Sequence, residues 1–290
     1  KKPIVWTPRV RRIFSVMLVL SVIIVAGASV WGFLGGNGAE SAFLYGTVAL
    51  TGLYCASHMV VLAAVHLLSP VERRINRHYY DEAASILASM PGLKVVGITG
   101  SYGKTSTKHY LHRILSEHFE TLMTPGSYNT TLGVIRTVRE MMKPYTEVFI
   151  CEMGAKQRGD IKEICDLVHP DMGIVTAVGP QHLESFKTID NVQATKFELV
   201  DALPEDGLAV VNNDFAPIAL RKVDNVECLR YAVKDADADY HASDIAYGRN
   251  GTDFTIIGPG TEMRLHTRLV GECNVSNLLA AVIIAIRLGV

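Results

Sequence analysis

Residues 99–106 read TGSYGKTS, directly after the β-forming run LKVVGI at 93–98. Gly100 and Gly103 let the backbone turn tightly and aim N–H groups at one point, an arrangement that suits an anion. Lys104 adds a positive charge there, and Thr105 or Ser106 offers a hydroxyl to a hard cation such as Mg²⁺. A helix is expected to begin here, about Lys104 to His118, and its first amides and dipole also favour negative charge. Strand, glycine turn, lysine, hydroxyl and helix in this order describe a phosphate-binding loop, with Ser101 and Tyr102 inside the turn. The strict G-x-x-x-x-G-K-[ST] spacing would want glycine where Ile98 stands.

A bound triphosphate needs a metal, and a metal needs acids. Glu152 closes the run TEVFICE, at the C-terminal end of a strand, where α/β folds place ligands. Taken alone it could equally be an ordinary strand-end acid. His182 follows the strand candidate MGIVTAV, and Lys196 lies in the apolar helical stretch QATKFELVDAL. In isolation these two read as readily as a structural histidine and a solvated lysine.

The elements that must position these groups alternate along the chain. Strand candidates are LKVVGIT, FETLMT, TEVFICEM, MGIVTAV, GLAVVNN and VECLRYAV, with helical stretches such as Ile161–Val168 and Val192–Leu203 between most of them. That alternation predicts an α/β fold, a doubly wound and mostly parallel sheet. Near the end DIAYGRNGTDFTII carries an Asn250–Gly251 hairpin signal and TEMRLHTRL is another strand, so a small antiparallel patch is expected. NVSNLLAAVIIAIRLG closes as a helix.

The N-terminal part is different. No charged residue falls between Ile13 and Ala39, and a second apolar run, about Ala42 to Leu68, holds His58 and His66 but no formal charge. Each is long enough to cross a bilayer, and GGNG at 35–38 is a turn between them. Two antiparallel transmembrane helices satisfy the backbone in lipid. Lys1, Lys2, Arg9, Arg11 and Arg12 precede the first run and Arg73, Arg74 and Arg77 follow the second, which places both ends and the soluble body on the cytoplasmic side of the inner membrane. The first run is too long for a signal-peptide core and a second span follows it. Ser69 and Glu72 form an S-x-x-E capping box with Pro70 at the first helical position, so a separate juxtamembrane helix is expected up to the Pro91–Gly92 stop. The expected domains are therefore a membrane hairpin at 1–68, a helical linker at 69–92 and a nucleotide domain at 93–290.

A formal net charge of -1 excludes a general basic field for nucleic acid. Five scattered cysteines without a CxxC pair argue against a zinc site or a disulfide framework. The start at Lys1 and the end inside an apolar helical run suggest a piece of a longer protein.

Taken together, the motifs resemble the Mur ligase family, ATP-dependent enzymes that add amino acids or dipeptides to the peptidoglycan precursor, and within it the D-alanyl-D-alanine-adding branch. GITGSYGKTSTK resembles the family's TGxxGKT loop. TPGSYNTTLGV at 124–134 is similar to TPGSxNNxxGxP, with Thr130 and Ile135 at the divergent positions. CEMGA resembles E-[LM]-G-A, and HLESF followed by ATKFEL resembles the family's histidine and lysine. GECNVSN at 271–277 is similar to GxHNxxN, with Cys273 where the family has histidine.

The resemblance implies roles. Gly100 to Ser106, Lys104 above all, would hold the ATP phosphates. Thr105, Glu152 and His182 would bind metal, Mg²⁺ being the expected ion. Lys196 would carry a carbamate formed with CO₂. Asn274 and Asn277 would contact adenine, and Ser127 and Asn129 would face the acceptor. It implies amide-bond formation through an acyl phosphate. The acceptor would be a UDP-muramoyl peptide or, given the membrane hairpin, a lipid-linked or polymer glycan, and the partner an amino acid or dipeptide. A hairpin stands where the family has its UDP-binding N-terminal domain, and the C-terminal domain that brings the amine would begin after Val290. Other readings are a poly-γ-glutamate or capsule polymer ligase, and a nucleotide-binding membrane scaffold in wall assembly.

Overall fold

The computed structural model describes residues 5–36, 38–180 and 186–290. It divides into a unit ending at His78 and a unit from Tyr79 to Val290.

The first unit is helical. Helix α1 (Pro8–Gly35) starts on a Thr7 cap and runs 28 residues. Helix α2 (Ala39–Cys55) returns beside it. The two approach closely because glycines face each other's neighbours: a Cβ on Gly32 would meet Ser41 O at 2.6 Å, and one on Gly46 would meet Ser29 Oγ at 2.5 Å. Leu18, Val22, Ile23, Val30 and Trp31 stay exposed on α1. By length and apolar composition α1 suits a membrane span.

Helix α3 (Ser57–Ala88) departs from two sequence expectations. The second apolar run is not one straight helix, because α2 and α3 meet at Ala56 with a bend of 79°, and only taken together as a bent pair are they long and apolar enough for a span. Nor does a helix start at Ser69: α3 runs through Pro70. The supposed capping acid has another use, since Glu72 accepts from Arg12 at 2.8 Å and lies 3.8 Å from Arg9. The S-x-x-E pattern is local, and the long-range ion pair with Arg12 takes its acid instead.

The second unit is built on one sheet. Its strands are β1 (Lys94–Thr99), β2 (Thr121–Met123), β3 (Val148–Glu152), β4 (Met172–Val175), β5 (Leu208–Asn212), β6 (Glu227–Ala232), β7 (Tyr240–Gly248), β8 (Gly251–Gly258) and β9 (Thr261–Thr267). They lie in the order β2-β3-β1-β4-β5-β6-β7-β8-β9. All neighbours from β2 to β7 are parallel, and β7-β8-β9 are antiparallel. The expected mostly parallel sheet with an antiparallel patch is therefore present. The β7–β8 reversal centres on Arg249 and Asn250, one residue earlier than the Asn-Gly signal suggested, because Gly248 pairs with Gly251.

Helices cover both faces, as parallel strands buried on two sides require. Helices α5 (Thr131–Met141), α6 (Asp160–Val168), α7 (Ile189–Asp201) and the short α8 (Ala216–Ala219), with the end of α3, pack one core around Phe149, Val175, Phe197 and Leu199. Helices α4 (Lys104–Leu115) and α9 (Glu272–Arg287) pack the other around Ile98, Ile150, Ile174 and Leu279. Strand β1 sits between β3 and β4, so the loop that follows it opens over the middle of the sheet.

Candidate functional site

The loop after β1 takes a shape only glycine permits at two points. Gly100 has φ +149°, and a Cβ there would meet Thr176 Oγ1 at 2.1 Å. Gly103 has φ +83° and is the left-handed residue before α4; a Cβ on it would strike Asn277 Oδ1 at 2.4 Å. Between them Ser101 is buried and ties the loop to the end of β4: its N–H donates to Ala177 O at 2.8 Å and its hydroxyl donates to Gly179 O at 3.2 Å. Thr176 Oγ1 donates to Tyr102 O at 2.5 Å, while the Tyr102 ring stays exposed. Lys104 arches back and donates to Gly100 O at 2.6 Å. Burial pushes the Lys104 ammonium below the usual lysine range, and the nearby Glu152 charge opposes that shift. The result is a turn pinned to the end of β4 by hydrogen bonds, with the Lys104 ammonium folded back onto Gly100 and α4 following directly.

Glu152 ends β3 level with Ile98 of β1, its register partner. That register brings the carboxylate to the first turn of α4, where Thr105 Oγ1 donates to Oε2 at 3.1 Å. Ser106, the alternative hydroxyl, faces Tyr110 instead. Asn129 Nδ2 donates to Oε1 at 3.1 Å, and Thr124 Oγ1 accepts from the Glu152 backbone N–H at 3.1 Å. The close approach of Asn129 needs Gly154, where a Cβ would lie 2.7 Å from Asn129 Cγ. Sequence reasoning missed the strongest partner. Lys108 Nζ lies 2.9 Å from Glu152 Oε2 with side-chain exposures of 0% and 1%, and it donates to Gly126 O at 2.6 Å. The available signal was its place one helical turn after Lys104.

The oxygens here are hard ligands of the type Mg²⁺ prefers. Neighbouring ligands in an octahedral Mg²⁺ shell lie about 2.9 Å apart. The 3.1 Å separation of Thr105 Oγ1 and Glu152 Oε2 is close to that edge, so these two fit the ion. His182 falls outside the described residues. Among the described residues no group of three or more His, Cys, Asp or Glu side chains gathers as a metal cluster.

Lys196 is 3% exposed on the inner face of α7, beside Phe197, Leu199 and Val200. It lines a cavity of about 230 Å³ with Lys104, Asn129, Thr130, Lys156 and Asp160. Burial lowers its pKa to about 8, and the Lys104 charge adds to that effect. So the sequence-predicted Lys104, Asn129 and Lys196 share one cavity, and Glu152 and Thr105 adjoin it through their bonds to Asn129 and to each other. Asp160 keeps its place at the cavity by accepting from the N–H groups of Lys156 and Gln157 at 2.8 and 3.1 Å, and its charge opposes part of the Lys196 shift.

The remaining predicted residues lie at the edges. Asn277 is buried in the first part of α9 and abuts Gly103. Asn274 accepts from Tyr110 OH at 2.7 Å and donates to Val270 O at 3.0 Å, so its side chain joins α9 to α4. Cys273 is exposed beside it. Ser127 is exposed on the loop before α5. A larger cavity of about 360 Å³, lined by Phe254, Leu265, Val282 and Ile286, is apolar and lies away from this cluster.

Residues 98–285 match the family Mur ligase middle domain. The UDP-N-acetylmuramoyl-tripeptide–D-alanyl-D-alanine ligase of Bacillus subtilis is 31% identical over 191 residues, which are 66% of this chain and 40% of that protein. The ligase of the same description from Escherichia coli is 32% identical over 217 residues, 72% of this chain and 47% of that protein. Among solved structures, MurF from Acinetobacter baumannii superposes with a TM-score of 0.69 at 28% identity, over 73% of this chain and 46% of that one. MurF ligase from Thermotoga maritima in complex with ADP gives 0.68 at 27% identity, over 73% and 49%. The chain thus spans less than half the length of these relatives.

Proposed function

The chain belongs to the Mur ligase family, and on that premise we propose that it is the nucleotide-binding part of an ATP-dependent ligase that forms an amide bond in peptidoglycan precursor synthesis. One observation carries the proposal: Thr105, Glu152 and Lys104 meet at the ends of adjacent elements, with Lys196 in the adjoining cavity.

In this reading Lys104 and the amides from Gly100 to Ser106 hold the β- and γ-phosphates of ATP. Thr105 and Glu152, with His182, hold Mg²⁺, which would neutralise charge on the phosphates. Asn277, packed on Gly103, and Asn274 stand on the side where the adenosine would lie. Ser127 and Asn129 face the acceptor. An acceptor carboxylate oxygen attacks the γ-phosphorus, the bond to the β–γ bridging oxygen breaks, and ADP departs. The incoming amine then attacks the acyl carbon, inorganic phosphate leaves, and the amine loses a proton to give the amide. The loop's contribution is positioning and charge stabilisation, and the hydrogen bonds that tie it to the end of β4 support that role.

Lys196 is the proposed carbamate. Its neutral nitrogen attacks CO₂, an N–C bond forms, and one proton is released to solvent. Burial beside Phe197 and proximity to Lys104 both favour the neutral amine this step needs. The resulting anion would sit in a cavity that also holds two lysines.

The substrates we propose are a UDP-muramoyl tripeptide as acceptor and D-alanyl-D-alanine as amine, a choice supported by the likeness to the Bacillus subtilis and Escherichia coli ligases. We assign residues 1–68 to membrane attachment, with α1 as one span and α2 plus the start of α3 as a second, broken one. Residues 69–92 are then the linker and 93–290 the nucleotide domain on the cytoplasmic side.

Calorimetry on the whole 290-residue chain in detergent tests the reading. Mg²⁺·ADP is expected to bind, and Lys104→Ala to weaken it about tenfold or more. Equal affinity in both proteins would remove the phosphate-loop assignment.

A further inference from the structure

We propose that Lys108 is a positioning residue that keeps Glu152 from holding a divalent cation until nucleotide arrives, so that metal and nucleotide enter together. The inference rests on the proposed nucleotide site and deepens it. Its basis is a buried ion pair that the ligase chemistry described above does not use.

The pair is unusual in its setting. Lys108 and Glu152 are 0% and 1% exposed and 2.9 Å apart. Two charges withdrawn from water cost more than a well-packed apolar pair of the same volume. Lys108 offsets part of that cost by donating to Gly126 O at 2.6 Å, and Glu152 by accepting from Thr105 and Asn129, each at 3.1 Å. The bonds tie three pieces of chain together: the helix after the phosphate loop, the end of β3 and the loop at 124–130.

The consequence for a cation follows from charge. Glu152 and Thr105 are the two described ligands that fit Mg²⁺, and Thr105 contributes none. With Lys108 bonded to the same Oε2 that Thr105 reaches, the local formal charge of the pair is zero. The Lys108 ammonium lies 2.9 Å from the carboxylate oxygen that a divalent ion would share with Thr105, and the Lys104 charge also acts on Glu152. Coulomb repulsion at that distance is large in a buried setting. The negative charges of a nucleotide's phosphates reverse the balance. Metal binding to the empty protein is therefore weak, and the ion is taken up as its nucleotide complex. An additional effect is that the order of the 124–130 loop is tied to the same carboxylate.

Mn²⁺ paramagnetic resonance on the whole chain in detergent, at pH 8, reads the free ion directly. For the wild type without nucleotide, Mn²⁺ affinity is expected to be weaker by roughly a hundredfold or more than in the presence of ADP. Tight binding to nucleotide-free wild type overturns the proposal without any variant. Lys108→Met and Lys108→Gln are each expected to bind Mn²⁺ without nucleotide about tenfold tighter or more, and Lys108→Arg to behave as wild type. The glutamine variant retains a donor and guards against a misfolded methionine variant; melting curves identify the folded proteins. A residue that only held the fold together would lose metal affinity on substitution and not gain it, so unchanged or weaker Mn²⁺ binding in a folded neutral variant overturns the proposal. ADP binding to the wild type is scored separately. Its absence would defeat the nucleotide-site reading, whereas ADP binding with no gain in the variants would defeat only this inference.

Discussion

Carbon dioxide should react with Lys196 near neutral pH, and the structure sets how readily. Burial and the Lys104 charge bring the Lys196 pKa from 10.5 to about 8. At about pH 7.4 roughly a fifth of the amines would then be neutral, against on the order of one in a thousand for an ordinary lysine. The nucleophilic fraction is raised on the order of 200-fold. The perturbation is the addition of ¹³C-bicarbonate to the whole chain in detergent, with Lys196→Arg as the comparison. Carbon-13 NMR reads the carbamate directly. The signal is expected in the wild type, is expected to rise as the pH is taken up through about 8, and is expected to be missing in the arginine variant, whose guanidinium stays charged. If folded wild-type protein gives no bicarbonate-dependent signal between about pH 7 and 9, the reasoning from burial to a reactive amine is refuted.

Four further outcomes follow from the same contacts. Lys196→Met should stabilise the protein at pH 7 by up to about 3 kcal/mol, because a folded-state pKa near 8 against 10.5 unfolded penalises the fold fully below about pH 8 and is relieved as pH rises towards 10.5; melting curves against pH should show the gap closing over that window. Glu152→Gln should cost about 3 kcal/mol by leaving Lys108 buried and unpaired, and Lys108→Met in the same chain should return much of it, as urea unfolding can measure. Gly103→Ala should cost about 1–2 kcal/mol in backbone strain, displace Asn277, and weaken ADP binding in calorimetry. A chain from Tyr79 to Val290 should remain in the supernatant without detergent while the whole chain floats with liposomes, since the apolar α1 lies only in the longer one.

The sheet was legible because strands buried on both faces must be apolar runs, and glycine turns bound them. Each of the six parallel-strand candidates has its counterpart in β1 to β6. The N-terminal helices were less legible. The S-x-x-E pattern at Ser69 is local, whereas Glu72 is claimed by Arg12, 60 positions away in sequence. The bend at Ala56 has neither proline nor glycine at it, so no local rule marks it. In the site, residue types in a motif could be read, and pairings across the sheet could not. Lys196 stood out only through resemblance, yet its burial explains why a helix lysine there is not a solvated one. Lys108 escaped notice because its meaning depends on Glu152 and Gly126, which come from other elements.

The departure from strict phosphate-loop spacing has a physical account in the same terms. Ile98 occupies the position where that pattern asks for glycine, but it is a strand residue, fully buried and paired with Glu152. A glycine there would give up core packing worth about 2 kcal/mol or more and weaken the strand. Because the strand continues through Ile98 to Thr99, the turn is made by Gly100 and Gly103 alone, and the first helical turn starts close to the sheet. Closeness is what lets the short side chain of Thr105 reach a carboxylate at the end of the neighbouring strand. In a longer loop the helix would begin farther out, and the hydroxyl and the acid could meet only through an intervening group. The compact turn, the retained isoleucine and the Thr105–Glu152 contact are thus one arrangement, and lengthening the loop by a single residue between Thr99 and Gly100 should break that contact before it unfolds the sheet.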